Sequence, residues 1–289
     1  MDIKPIDLVN QVSHLASLPD ICFKVNELAE DSGASTNDFK NLIETDPALS
    51  AKLLKIANSA FYSYSTDVAD LNRAIMLIGT QGLRDITWSC YAIDEFSQLS
   101  SEYVDMYAFW RHSLFVGTVA RVLANKCHII HKDRLFLSGL LHDIGHLVMY
   151  QLIPEEMTAI FKRMADRNEQ AFVSEKSVLG FNHATLGYKL LKSWELPESI
   201  YQSVAFHHQP GKAEAHRLEA AILHLADAFA KKSNIFGHKV EDQMHIDTNA
   251  WKITALSDKI TESVIDLSKE QFHEVEKLFL RPLNMQPAA

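Results

Sequence analysis

Residues 46–62 read DPALSAKLLKIANSAFY, and the phase of the apolar residues in this stretch decides the fold class. Asp46 suits a helix cap, because its carboxylate accepts from the free amides of the first turn. Pro47 suits the first helical position, where no amide hydrogen is needed. Leu49, Leu53, Ile56, Ala57, Ala60 and Phe61 then fall on one face of a helical period. Just upstream, LPDICFKVNELAEDSG (18–33) puts Pro19 near a helix start and Gly33 beyond its end. Downstream, LNRAIMLIGTQGLRDITWSCYAI (71–93) predicts further helix, broken at Gly79 or Gly82.

Past a polar interval, FSQLSSEY (96–103), the same period returns in VDMYAFWRHSLFVGTVARVLANKC and LFLSGLLHDIGHLVMY. It continues through a helix from about Glu175 to Trp194, then PESIYQSVAFHH and RLEAAILHLADAFAKK. After a more polar stretch it resumes in KEQFHEVEKLFL (269–280), where Phe272, Val275, Leu278 and Phe279 share a face. Few segments alternate apolar and polar residues, and ten glycines are too thinly spread for a β-sandwich. The chain reads as all-α, in three parts: 1–103, 104–235 and 236–289.

With 289 residues, 47% hydrophobic and 22% charged, the chain has the composition of a globular protein with a substantial core. A net charge of −9 and the lack of a Lys/Arg cluster argue against a DNA-binding surface, which needs local positive charge to neutralise phosphate. Cys22, Cys90 and Cys127 lie far apart with no CxxC, as expected of core thiols in a reducing compartment. The opening MDIKPIDLVNQV has no apolar signal-peptide core, and no apolar run is long enough to span a membrane. A cytoplasmic location is expected.

Of fourteen histidines, several fall on apolar faces. His112 is in line with Phe109, Val116 and Val119, and His183 with Leu186, Gly187 and Leu190. His207 and His208 end a helix whose inner face carries Ile200 and Val204. Asp227 follows Ala220 and Leu223, and His142-Asp143 interrupts the apolar run GLLHDIGHL (139–147). Imidazoles and carboxylates turned inward from five helices need partners. A one- or two-metal site inside a helical bundle would supply them. Zinc would be satisfied by four ligands, iron or manganese by more. His146, one turn after His142, would border the site, and His224, three before Asp227, would lie behind it or pack in the core. His128, His131, His216 and His245 sit in polar loops.

The order H…HD…H…HH…D resembles the HD superfamily of metal-dependent phosphohydrolases, its HD-GYP branch most of all. LPDICFKVNELAE, IETDPALSAKLLKIANSAFYS and LNRAIMLIGTQGLRDI, together with FWRHSLFVGTVA, GLLHDIGHL, LGFNHATLGYKLLKSWELPESIYQSVAFHHQP and ILHLADAFA, are similar to the HDOD family of bacterial signalling output domains over roughly residues 10–235. The resemblance implies a helical N-terminal subdomain packed on an HD-like bundle, and a regulatory role. It also implies one or two divalent ions (iron, manganese or zinc) on His112, His142, Asp143, His183, His207, His208 and Asp227. Many HDOD members lack these ligands; this chain keeps them. HD-GYP enzymes hydrolyse cyclic di-GMP, but here QPGKAEAH follows His208 with no GYP segment. His146 stands in place of their lysine, and an unperturbed imidazole, with a pKa of about 6.5, is mostly neutral near pH 7. The expected function is a signalling module that binds a protein or nucleotide partner, with no membrane or DNA role and with oligomeric state open. The alternatives are a metal-dependent phosphohydrolase, with Asp143 and His146 beside the attacking water, and a scaffold without metal.

Overall fold

The computed structural model describes residues 3–15, 18–59, 61–62, 67–99, 103–233, 235 and 246–280, and among them there are helices and turns but no strand. The N-terminal part holds α1 (Pro5–Leu15), α2 (Asp20–Glu30), α3 (Thr36–Glu44), α4 (Pro47–Ala57), α5 (Leu71–Ile78) and α6 (Thr80–Phe96). The Asp46 carboxylate accepts from the Leu49 amide at 2.9 Å, and Leu49, Leu53, Ile56 and Ala57 are buried. The helix stops at Ala57, so buried Phe61 packs from the turn beyond it, and Ala60 lies outside the described residues. Of the two candidate breaks, Gly79 is the real one: at φ +79° it takes a conformation that L side chains rarely adopt, whereas Gly82 lies within α6.

The second part is built on α7 (Met106–Lys126) and α8 (Lys132–Leu141), which cross closely. Glycine permits the crossing. A Cβ on Gly139 would sit 2.5 Å from the Gly117 Cα, and one on Gly117 2.7 Å from the Phe136 carbonyl. Around this pair lie α9 (Ile144–Leu152), α10 (Pro154–Arg167), α11 (Ala171–Leu179), α12 (His183–Ser193), α13 (Glu198–Phe206) and α14 (Arg217–Lys232). Two expectations change here. The apolar run through His142-Asp143 is two helices, with that pair in the turn between them. The helix from Glu175 to Trp194 is also two, because Gly180 at φ +81° ends α11 and Asn182 caps α12 by accepting from the Thr185 amide.

The C-terminal part adds α15 (Thr248–Thr254) and α16 (Thr261–Phe279), the latter longer than its sequence pattern indicated. Its apolar face covers α7, and the Glu276 carboxylate accepts from Arg111 and Tyr107. Buried side chains of the first and second parts belong to one continuous core. Trp88 of α6 stacks on Trp194 at 5.6 Å between centroids, and the Asn26 amide donates to the Glu195 carbonyl. None of the described helices is long and apolar enough to cross a membrane.

Candidate metal centre

Five elements deliver the polar cluster to one place. His112 comes from α7, His142 and Asp143 from the α8–α9 turn, His183 from the first residue of α12, His207 and His208 from the end of α13, and Asp227 from α14. The tight turn after α8 depends on Gly145, whose absent side chain lets the His183 carbonyl approach to 2.1 Å of where a Cβ would be. That contact brings Asp143 and His183 together.

Hydrogen bonds at the back of each ring decide which nitrogen faces inward. A carbonyl can only accept, so the His142 Nδ1–H donates to Gly139 at 2.8 Å and the His207 Nδ1–H donates to Val204 at 2.7 Å. Both Nε2 atoms then point into the cluster, buried and without a hydrogen-bond partner; Asp227 Oδ1 is in the same position.

The cluster divides into two half-sites. In the first, His112 Nε2 lies 3.3 Å and His142 Nε2 3.8 Å from Asp227 Oδ1. In the second, His183, His207 and His208 converge, with 2.8 Å between the Nε2 atoms of His183 and His208. Asp143 faces both: its Oδ2 is 3.2 Å from His142 Nε2, and its Oδ1 is 3.3 Å from His183 and 3.8 Å from His207. Lone-pair atoms this close repel one another unless a proton or a cation lies among them. Metal–nitrogen bonds of about 2.0–2.1 Å place neighbouring ligand atoms roughly 3.0–3.4 Å apart, so the donor set fits one or two divalent ions. Asp143 keeps 18% of its side-chain surface and His112 12%, so the cluster opens to solvent at the acid shared by both halves.

Titration behaviour follows from burial and neighbours. Burial, reinforced by His142 and His183, holds the His207 pKa down to about 3, and the same effect keeps His208 well below its ordinary value. Their nitrogens are therefore neutral at pH 7. For His142, burial is outweighed by the Asp143 carboxylate and the shift is upward. Burial would raise Asp143 and Asp227. Instead His142 and His146 hold Asp143 well below the carboxylate range, and Lys231 and His112 do the same for Asp227.

Sequence reasoning missed Glu175 and Lys231. Glu175 is fully buried, accepting from His146 Nε2 at 2.7 Å and from His183 Nδ1 at 2.7 Å. Its phase with Phe172 and Leu179 on α11 was the available signal. Lys231, one turn after Asp227, donates to Asp227 Oδ2 at 2.7 Å. The expectation of a neutral His146 is corrected. Burial opposes its protonation, but Tyr150, Glu175 and Asp143 together raise it well above its ordinary value. Its ring is turned toward Glu175, with Nε2 2.7 Å from the carboxylate. His224 lies directly behind the site: its Nδ1–H donates to the His207 carbonyl at 2.7 Å, and its Nε2 accepts from the Asp247 amide. His128, His131 and His216 are not drawn into the cluster, and His245 lies outside the described residues.

Comparison with known proteins places this geometry in context. The profile of the HDOD domain matches residues 15–210. A curated relative, an uncharacterized protein of Treponema pallidum (strain Nichols), is 25% identical over 202 residues, or 70% of this chain. The chain spans only 39% of that relative's length. Among solved structures, an HDOD domain protein of unknown function from Geobacter sulfurreducens superposes with a TM-score of 0.76 at 22% identity, covering 96% of this chain and 99% of its own. A Shewanella amazonensis SB2B protein provisionally named a phosphohydrolase gives 0.72 at 22% identity, covering 94% of this chain and 98% of its own. At these identities the likeness concerns the fold.

Proposed function

Since the chain belongs to the HDOD family, we propose that it is a bacterial signal-transduction module whose cluster holds one or two divalent ions and which acts by binding a protein or nucleotide partner. The observation that carries the metal is the pair of buried Nε2 atoms on His142 and His207 that meet no donor. Their rings are locked with the lone pair inward, an arrangement that is costly unless a cation completes it. His112, His142 and Asp227 would hold one ion, and His183, His207 and His208 the other, with Asp143 between them. Iron, manganese and zinc all suit imidazole and carboxylate donors. A bound ion supplies a Lewis acid toward an oxygen of the partner, most naturally a phosphoryl oxygen.

A binding role is favoured over turnover by what the surrounding residues do. His146 is engaged by Glu175 and Lys231 by Asp227, so neither side chain is aimed at a substrate. Phe172 lies flat against His208, with 4.4 Å between ring centroids, and packs on that edge of the second half-site. Turnover also needs a substrate held in attack geometry, a contribution of about 7–11 kcal/mol in favourable cases. The segment after His208 offers a short turn at Pro210–Lys212 and no aromatic loop for that purpose.

The second reading, a metal-dependent phosphohydrolase, is favoured by one feature: Asp143 spans both half-sites at their solvent-facing edge. One experiment separates the two. Protein purified without a metal-affinity tag is analysed for iron, manganese and zinc, then loaded and incubated with cyclic di-GMP, which is followed by chromatography. The expected result is one or two equivalents of metal and absent or very slow hydrolysis. Multiple turnover that disappears in Asp143→Ala would promote the hydrolase. Metal well below one equivalent after loading would remove both readings.

A further inference from the structure

Glu175 is the one carboxylate of the cluster that faces no open ligand position. It is wholly buried on α11, and its two oxygens accept three hydrogen bonds: from the His183 backbone amide at 2.9 Å, from His183 Nδ1 at 2.7 Å and from His146 Nε2 at 2.7 Å. Nearly all its bonding capacity is therefore spent on orienting other groups. The backbone contact matters because His183 is the first residue of α12, where amides lack helical partners. One carboxylate thus fixes both the start of the helix and the rotation of the ring that begins it. A ring that donates Nδ1–H to a carboxylate must present Nε2 as a lone pair, and that atom lies 3.3 Å from Asp143 Oδ1 and 2.8 Å from His208 Nε2.

We propose that Glu175 is a positioning residue that sets the metal affinity of the His183–His207–His208 half-site, by holding His183 in the Nδ1–H tautomer and turning its Nε2 toward the ion. This rests on the metal reading above and extends it to a residue that touches no ion. Partners of this kind typically govern affinity by about 10–100-fold, because they fix ring orientation and raise ligand basicity. The other half-site has no contact with Glu175, so the effect is confined to one of two binding steps.

The test uses the full chain with Glu175→Ala and Glu175→Gln. The glutamine keeps the shape and one acceptor oxygen, but must present an amide N–H where the second oxygen was. Manganese binding is titrated calorimetrically after chelation, and the His183 tautomer is read from its ring nitrogen shifts in metal-free protein. The expected result is an Nδ1–H tautomer in the wild type. The alanine variant should show a 10–100-fold weaker step for one equivalent, with the glutamine variant in between. The step abolished by His112→Ala should keep its wild-type affinity in both variants. Three findings would overturn the proposal alone while metal still binds: an Nε2–H tautomer in wild-type His183, unchanged affinity in both folded variants, or equal weakening of both steps. Wild-type protein that takes up no metal overturns the metal reading and this proposal with it. Should the alanine variant fail to fold, the glutamine variant and the wild-type tautomer decide.

Discussion

Helix α8 carries a buried polar junction at each end, about 15 Å apart by helical rise, and the two are built on opposite principles. At its start, Asp133 accepts from Arg121 Nε at 3.0 Å through one oxygen and from the Tyr62 hydroxyl at 2.9 Å through the other. Arg121 also donates to the Phe61 carbonyl at 2.6 Å and lies 3.7 Å over the Phe61 ring. Both oxygens of the acid are satisfied, and what is left over is a donor, the buried Arg121 Nη2. At the other end of α8, beginning with His142, nitrogen lone pairs and carboxylate oxygens face one another with too few protons among them. The first junction holds the N-terminal part to the bundle. The second gathers a donor set that could hold a metal ion. Burial alone does not distinguish structure from site; the balance of donors and acceptors does.

The most severe test of this contrast removes the first junction altogether. Residues 104–289 expressed alone would lose Tyr62, the Phe61 carbonyl and Trp88, and would expose the faces that α1 and α6 cover on α12 and α8. The expected product is poorly soluble or lacks a cooperative melt. A soluble fragment with the melting temperature of the whole chain would show that the junction is dispensable.

A crossed pair of substitutions is the sharper test. Arg121→Ala leaves a part-buried Asp133 carboxylate without its cation, which costs up to about 3 kcal/mol, and should leave metal stoichiometry unchanged. Asp143→Ala should behave in reverse. Ligand at roughly a thousand times its dissociation constant stabilises a fold by about 4 kcal/mol. That metal-dependent rise in melting temperature should survive in Arg121→Ala and be reduced or lost in Asp143→Ala. Denaturation with and without chelator measures both, and a shared loss of metal response would merge the two junctions into one. The smallest effect is expected from Tyr62→Phe. It removes one donor to Asp133 while Arg121 still serves the other oxygen, so about 1 kcal/mol should be lost with metal binding intact.

Much of this was legible in the sequence, for identifiable reasons. The cap at Asp46 and the face it starts are local, so they could be read without a partner. The histidine set was legible because its members sit at helical phase on apolar faces, where a polar side chain needs an explanation. What escaped were features set by contacts distant along the chain. The run from Leu135 to Met149 is apolar apart from Ser138, His142, Asp143 and His146, and the break within it lies where Gly145 meets the His183 carbonyl. Gly180 followed by Asn182 is a stop and a start, a signal that was present but not used in drawing one helix from Glu175 to Trp194. Glu175 shares a phase with Phe172 and Leu179, but which groups it serves is set only when α12 is placed beside it. The upward shift at His146 was missed for a different reason: Tyr150 and Asp143 lie within four residues of it, and only Glu175 is distant along the chain.

The crossing of α7 and α8 has a consequence for how such chains are compared. Gly139 meets the Gly117 backbone so closely that one added methyl carbon would lie 2.5 Å from the facing Cα, where carbon atoms rest at about 3.5–4.0 Å. The helices would have to part by roughly 1 Å, while ligand distances in a working metal site hold within about 0.2 Å. His112 rides on one of these helices and His142 on the end of the other. A single hydrogen exchanged for a methyl group, at a position that touches no ligand, is enough to pull the first half-site out of register. Every histidine and aspartate would still be spelled out in such a descendant, and a reader of its letters alone would count as intact a centre that had already gone silent.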